Sequence, residues 1–358
     1  MKPSLLTLVG LLATSVAANP VPASGGAVLA PRGNGANNNN VANAAKGKKN
    51  GKKNGNNGAS GGAAKNGTAN AGGATAGGAA AGGTAAGGAG PGGAGAKAGN
   101  TSALVLPDGR IKADATPENF NVLESVFKSA VIKGNGLVFS DIITFPEGQA
   151  SLFDKATNTK AFAINIDDKS VFVPKGGEAQ SNIRRADLLP SIRSQLNDVA
   201  VTGVRTMHFS IQRDAAKPLN ASHDYQVFNL ESKDFSFHQI DVRTGADNGN
   251  EIAVFGNSKT TPPAKIFSTP FGEGQFENFA IKMDFTANTV QVFHSTANEP
   301  LKQVTEPVAN ALDGLGEYHF SLQKNPVGTG TQPTGVKEAV IFGGIFMEDS
   351  TSGTVTLQ

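Results

Sequence analysis

The chain has 358 residues, a formal net charge of +2, no Cys, no Trp and two Tyr, against 45 Gly and 21 Phe. The charge is unevenly placed: residues 1–100 carry nine of the 31 Lys and Arg and none of the 29 Asp and Glu, so the remainder stands at −7. An acidic body argues against a nucleic-acid-binding domain, and the lack of Cys excludes disulfides, thiolate zinc sites and cysteine nucleophiles.

Residues 1–18 read as a secretory signal peptide. Lys2 gives the positive start, residues 5–12 an apolar stretch, and Val16-Ala17-Ala18 a small-residue cleavage site. That stretch is too short to span a bilayer, and no other run approaches the necessary length. Residues 19–102 form a low-complexity linker. It holds an Asn run at 37–40, a basic cluster of Lys46, Lys48, Lys49, Lys52 and Lys53, and Gly pairs at 72–73, 77–78, 82–83 and 87–88. Such a segment buries too little apolar surface to offset the entropy of ordering it, roughly 1–2 kcal/mol per residue, and is expected to be disordered. Asn66, Asn100 and Asn220 head N-x-S/T triplets, compatible with export.

From residue 105 onward the apolar period is two. Met207, Phe209 and Ile211 alternate with His208, Ser210 and Gln212. Phe279, Ile281 and Met283 alternate with Ala280, Lys282 and Asp284, and Tyr318, Phe320 and Leu322 with His319, Ser321 and Gln323. Residues 170–173 and 339–347 are further strand-like runs, and turn-forming clusters at 247–249, 261–263, 286–289 and 326–330 separate the elements. Residues 118–127 and 187–196 are the short helical candidates. Many short strands with little helix predict an all-β two-sheet sandwich or jelly roll over 103–358. His208 and His319, on polar strand faces, read as surface histidines. Alternation in 225–231 places Phe228 and Leu230, with Gln226, toward the facing sheet, and Tyr225, Val227, Asn229 and Glu231 on the opposite face. In 290–294, Val290 and Val292 point inward, and His294 joins them unless a bulge intervenes at Phe293.

No nucleotide loop, metal-helix motif or nucleophile elbow occurs, and the five His show no paired metal spacing. Carboxylates remain. Two of them facing one cleft suffice for glycoside hydrolysis, but the sequence does not pair them among 29 acids.

A resemblance narrows the choice. Residues 183–190 (IRRADLLP) resemble the Arg-Arg-Thr-Glu-Leu-x-Pro signature of glycoside hydrolase family 131, and 207–213 (MHFSIQR) resemble the strand that follows it. Residues 225–232 (YQVFNLES) resemble that family's His-Gln-x-x-Phe-Phe-Glu-Ser strand, and 283–304 its Asp-Phe-x-x-Asn-Thr-Val…Trp-His-Ser-Thr…Pro-Leu-Lys segment. The similarity runs from about 103 to 349. It implies a fungal secreted β-jelly roll acting on β-1,3- and β-1,4-glucan as a monomer, with no cofactor or metal and no nucleic-acid partner. The acidic pair maps onto Glu231 as proton donor, kept protonated by burial beside Tyr225, and Asp187 as base. The cleft histidine maps onto His294, and Arg184 and Arg185 onto the basic pair beside Asp187, with Tyr225 and Gln226 among the substrate-binding positions.

The departures are specific. The family's Glu is Asp187, its His-Gln is Tyr225-Gln226 and its Trp-His is Phe293-His294, so aromatic platforms are thinned. Three readings follow: a secreted glucan hydrolase; a wall-associated glucan-binding or interaction protein on the same fold with weakened catalysis; or an extracellular structural protein whose low-complexity tail does the work. Deleting residues 19–100 is expected to leave the melting temperature of the remainder within error, as measured by differential scanning calorimetry.

Overall fold

The structure, a computed structural model, describes residues 104–122, 126–128, 132–190 and 197–358. The signal-peptide assignment, and the linker assigned to 19–102, lie outside the described residues. The described residues form strands β1 (Ile111–Lys112), β2 (Ile143–Thr144), β3 (Thr159–Lys160), β4 (Phe162–Asp167), β5 (Arg184–Leu188), β6 (Val204–Arg213), β7 (Asp224–Glu231) and β8 (His238–Gly245). They continue with β9 (Glu251–Phe255), β10 (Lys265–Pro270), β11 (Glu277–Asp284), β12 (Thr289–Thr296), β13 (Lys302–Gln303), β14 (Val308–Ala309), β15 (Glu317–Lys324) and β16 (Lys337–Asp349).

Two antiparallel sheets face each other. One has six strands in the order β10-β9-β8-β7-β15-β5. The other has eight, running β13-β12-β11-β6-β16-β4-β2 with β14 paired to β12. The period of two explains the pairing. Phe209 on β6, Phe279 on β11 and Phe342 on β16 point inward from the large sheet, and Phe228 on β7 and Phe320 on β15 meet them from the small one. Phe209 packs at 4.9 Å, ring centre to ring centre, from Phe228, and Phe320 at 5.9 Å from Phe342. The all-β sandwich is therefore the architecture, and among the described residues no helix is long and apolar enough to cross a membrane.

Several local expectations change. Residues 187–188 are strand rather than helix, because Ala186 and Leu188 alternate into the core from β5; residues 191–196 lie outside the described residues. Among its described residues the 118–127 candidate shows one 3-10 turn, Pro117–Phe120, and Phe127 bridges to Pro190. Residues 170–173 lie outside the named strands, although the Phe172 carbonyl accepts a bond from Gln180 N. His208 is not at the surface. It is fully buried, bonded to Glu348 at 2.8 Å and stacked on Phe346 at 4.2 Å, because residues 152–153 and the segment near Val355 cover that face of the large sheet.

The faces of β7 also differ from strict alternation. Its register shifts between Gln226 and Phe228 against both neighbouring strands. An irregularity there resets the alternation. Tyr225 and Val227 consequently join Phe228 and Leu230 in the core, and Gln226 turns to the polar face. Asn229 and Glu231 keep their expected side. Because Phe209 and Phe228 lie in the inter-sheet ring cluster, Phe209→Ala and Phe228→Ala are each expected to cost about 3–5 kcal/mol in chemical denaturation.

Candidate active site

The outer face of the six-stranded sheet is polar from β8 through β7 and β15 to the edge strand β5. β5 contributes Arg185 and Asp187, β15 contributes His319 and Gln323, β7 contributes Gln226, Asn229 and Glu231, and β8 contributes His238, Asp241 and Arg243. The β15–β5 and β15–β7 registers set Asp187 beside Ser321 and His319 beside Asn229. Those registers let one imidazole reach two carboxylates. His319 Nδ1 donates to Asp187 Oδ2 at 3.1 Å, and Nε2 lies 3.3 Å from Glu231 Oε2. Arg185 closes the chain from the other side, with Nε 3.2 Å from Asp187 Oδ1 and a terminal nitrogen on Oδ2.

A glycine at the start of β15 permits this approach. Gly316 has φ of 112°, and a Cβ there would stand 1.8 Å from the carbonyl oxygen of Glu231. Only a hydrogen fits against β7 at that point.

Burial and charge act against each other in this array. Burial pushes the Asp187 carboxyl up, but Arg185 and His319 outweigh it and hold it below the usual range. Burial likewise raises Glu231, and the His319 bond and charge, with His238 and Arg185, bring it down. Burial disfavours the His319 cation, yet its contacts with Asp187 and Glu231 lift it above an ordinary histidine. The array is thus a buried imidazolium between two carboxylates, and Glu231, 9% exposed, is more open than the wholly buried Asp187.

The sequence-based assignments divide accordingly. Asp187, Glu231 and Arg185 come together. Gln226 stands near them, donating to Asp241 at 2.9 Å and accepting from Gln323 at 2.7 Å. Tyr225 does not face the site: it is buried in the core with its hydroxyl 2.8 Å from Glu338, so it cannot serve as a substrate contact or shield Glu231. Arg184 donates to the carbonyls of Ser181 and Ile183 rather than to Asp187, because adjacent strand residues point to opposite faces. His294 belongs to the other sheet. The β11–β12 register is uninterrupted, so His294 points inward, bonded to Glu277 at 2.8 Å with Phe267 and Phe279 rings each 5.1 Å away.

The histidine of the array is His319, which sequence reasoning placed at the surface. Its signal was its company: His319, Ser321 and Gln323 form a strand face without a single charged group that is always ionised. Among the described residues, no group of three or more His, Asp and Glu side chains is arranged to hold a metal ion.

Chemically, the array can store a proton on an imidazole and pass it to a carboxyl group at the site's more open end. A family model described as the glycoside hydrolase 131 catalytic N-terminal domain matches residues 105–353. The catalytic domain of the glycoside hydrolase family 131 protein from Coprinopsis cinerea is 22% identical with a TM-score of 0.55, over 71% of this chain and 97% of that one. The GH131 β-glucanase catalytic domain from Podospora anserina is 18% identical with a TM-score of 0.56, over 72% of this chain and 98% of that one. At these identities the likeness establishes the fold. No curated protein matches the chain.

The three linked groups predict a stability window. Asp187 and Glu231 have depressed folded values, so their contribution is present above the unfolded values of about 3.9 and 4.3 and is lost as pH falls through the folded ones. His319 has a raised folded value, so its contribution is complete below about 6.5 and is lost as pH rises through the folded value. The melting-temperature gap between wild type and His319→Gln is therefore expected to be widest between about pH 4.5 and 6.5 and to shrink on both sides.

Proposed function

The chain belongs to the glycoside hydrolase 131 family, and from that premise we propose that it hydrolyses β-glucan, with β-1,3- and β-1,4-linked chains as its substrates. The observation that carries this reading is the imidazole of His319, 3.1 Å from Asp187 and 3.3 Å from Glu231. Glycoside hydrolysis needs a proton for the leaving oxygen and a base for the attacking water. Glu231, the more open member, meets the glycosidic oxygen. His319 passes its Nε2 proton to Glu231, which delivers it to that oxygen as the bond to the anomeric carbon breaks.

Asp187 acts through His319. It has no exposed surface on which to activate water, and its contacts with Arg185 and His319 are those of a group that orients a ring and balances its charge. The shorter Asp still reaches both partners, so the methylene missing relative to the family signature is made up locally. Export completes the reading, with residues 1–18 as signal peptide and residues 19–102 as a spacer that leaves the domain secreted and at the cell wall.

A second reading, a glucan-binding protein without turnover, draws on the absence of Trp and the near-complete burial of the array. Reducing-sugar release from laminarin and carboxymethyl cellulose separates the two. Wild type is expected to release sugar, and Glu231→Gln to lower kcat/KM by about 10²–10⁴-fold with the fold intact by circular dichroism. Asp187→Asn removes an anion from His319 and is expected to move the alkaline limb of the pH–rate profile to lower pH. Glucan pull-down without sugar release by wild type would select the binding reading.

A further inference from the structure

Glu231 has a second histidine beside it. On β8 the register shifts between the partners of Leu230 and Glu231, so that Leu230 faces Ile240 while Glu231 faces His238. One residue, Gln239, is stepped over. The shift sets His238 directly opposite Glu231, and directly opposed residues point to the same face, with Cβ atoms about 4.5–5.5 Å apart. Such irregularities re-aim side chains beside active sites.

His238 repeats the partners of His319. Its Nδ1 lies 3.3 Å from Asp241 Oδ2. Asp241 is in turn clamped by Arg243, through Nε at 2.7 Å and a terminal nitrogen at 2.6 Å. Two Arg–Asp–His arms therefore converge on Glu231: Arg185–Asp187–His319 from β5 and β15, and Arg243–Asp241–His238 from β8. The arms differ in exposure. The His319 side chain is 2% exposed and that of His238 is 21% exposed. The first arm is sealed and the second opens to solvent.

The remaining contacts agree with that orientation. Gln226 Nε2 donates to Asp241 at 2.9 Å, fixing the carboxylate that faces the His238 ring. Nε2 of His238 is the ring nitrogen without a bond among the described residues. The charged groups around the ring are Glu231 on β7 and Glu317 beyond it on β15, Asp241 and Arg243 on its own strand, and Lys259 over the neighbouring Phe237.

We propose that His238 is a second proton-transfer residue of this site, the solvent-facing imidazole that takes the proton of the attacking water while Glu231 and His319 serve the leaving oxygen. The proposal rests on the glucan-hydrolase reading and supplies the base that the first arm lacks. In the step, the water oxygen bonds to the anomeric carbon, the glycosidic C–O bond breaks, and Glu231 gives its proton to the leaving oxygen. The water proton goes to His238 Nε2, with Nδ1–H held on Asp241. Transfer from His238 back to the Glu231–His319 pair restores the starting state.

The two arms have separate tasks: His238 takes the proton of the water, and the Glu231–His319 pair supplies the proton of the leaving oxygen. The test uses the full chain with laminarin and carboxymethyl cellulose. His238→Asn is expected to lower kcat/KM by about 10²-fold, with partial recovery on adding free imidazole. Asp241→Asn, which removes the carboxylate beside Nδ1, is expected to lower kcat/KM by less and to show no recovery with imidazole. If Asp241→Asn fails to fold, His238→Asn alone decides, since its ring is 21% exposed and removable without opening the core. An active wild type whose kcat/KM survives His238→Asn, or whose loss is not partly restored by imidazole, overturns the proposal and leaves the glucan-hydrolase reading standing. An inactive wild type overturns both.

Discussion

A single imidazole standing between two carboxylates, bonded to one and 3.3 Å from the other, ties three strands of the small sheet together. Asp187 comes from β5, His319 from β15 and Glu231 from β7, so the chain of contacts exists only while both strand registers hold. A slip of one residue would turn His319 toward the core and Phe320 toward solvent. Buried charges are tolerated when paired and bonded, and breaking such a pair leaves an uncompensated charge. The array therefore acts on the fold as well as on the chemistry: it penalises every register but one. Gly316 belongs to the same constraint, because β15 can begin against β7 only where no side chain intervenes.

Histidine–carboxylate pairs occur on both sheets, and their surroundings separate them. His208 with Glu348 and His294 with Glu277 sit on the large sheet among Phe rings, their carboxylates held further by Thr356 and Thr296 rather than by a second imidazole. On the small sheet the pairs are linked: Glu231 has an imidazole on one side at His319 and another opposite it at His238, and each imidazole is backed by an aspartate and an arginine. A pair packed among Phe rings has no route to solvent. A linked series with one end open to solvent can move a proton. This contrast also resolves the charge of the body, where net acidity coexists with guanidinium groups placed against the carboxylates that are buried.

Two register shifts shape the site. The one at Gln226–Phe228 sends Tyr225 into the core and brings Gln226 out; the one near Gln239 brings His238 opposite Glu231. Each moves side chains by changing which face of the sheet they occupy, and neither alters the sandwich. The core is carried by Phe209, Phe228, Phe279, Phe320 and Phe342, whose inward positions follow the plain alternation.

The sequence by itself determined the architecture. A period of two repeated in segments rich in Phe, Ile and Val, with turn clusters between them, leaves no stable solution other than packed antiparallel sheets, since each strand has one apolar face to bury. It also determined that Glu231 and Asn229 stand opposite Phe228 and Leu230, and through the resemblance it brought forward Asp187, Arg185 and Glu231. The tertiary structure decided what periodicity does not encode. Whether a polar strand face meets water or neighbouring side chains depends on strands distant in the chain, which is why His319 and His208 read as surface residues and are buried. Whether alternation is interrupted depends on partner strands, which is why Tyr225 leaves the site and His294 stays inside the sandwich. Pairing acids with imidazoles requires register across β5, β15, β7 and β8, and register is a property of the assembled sheet rather than of any one strand.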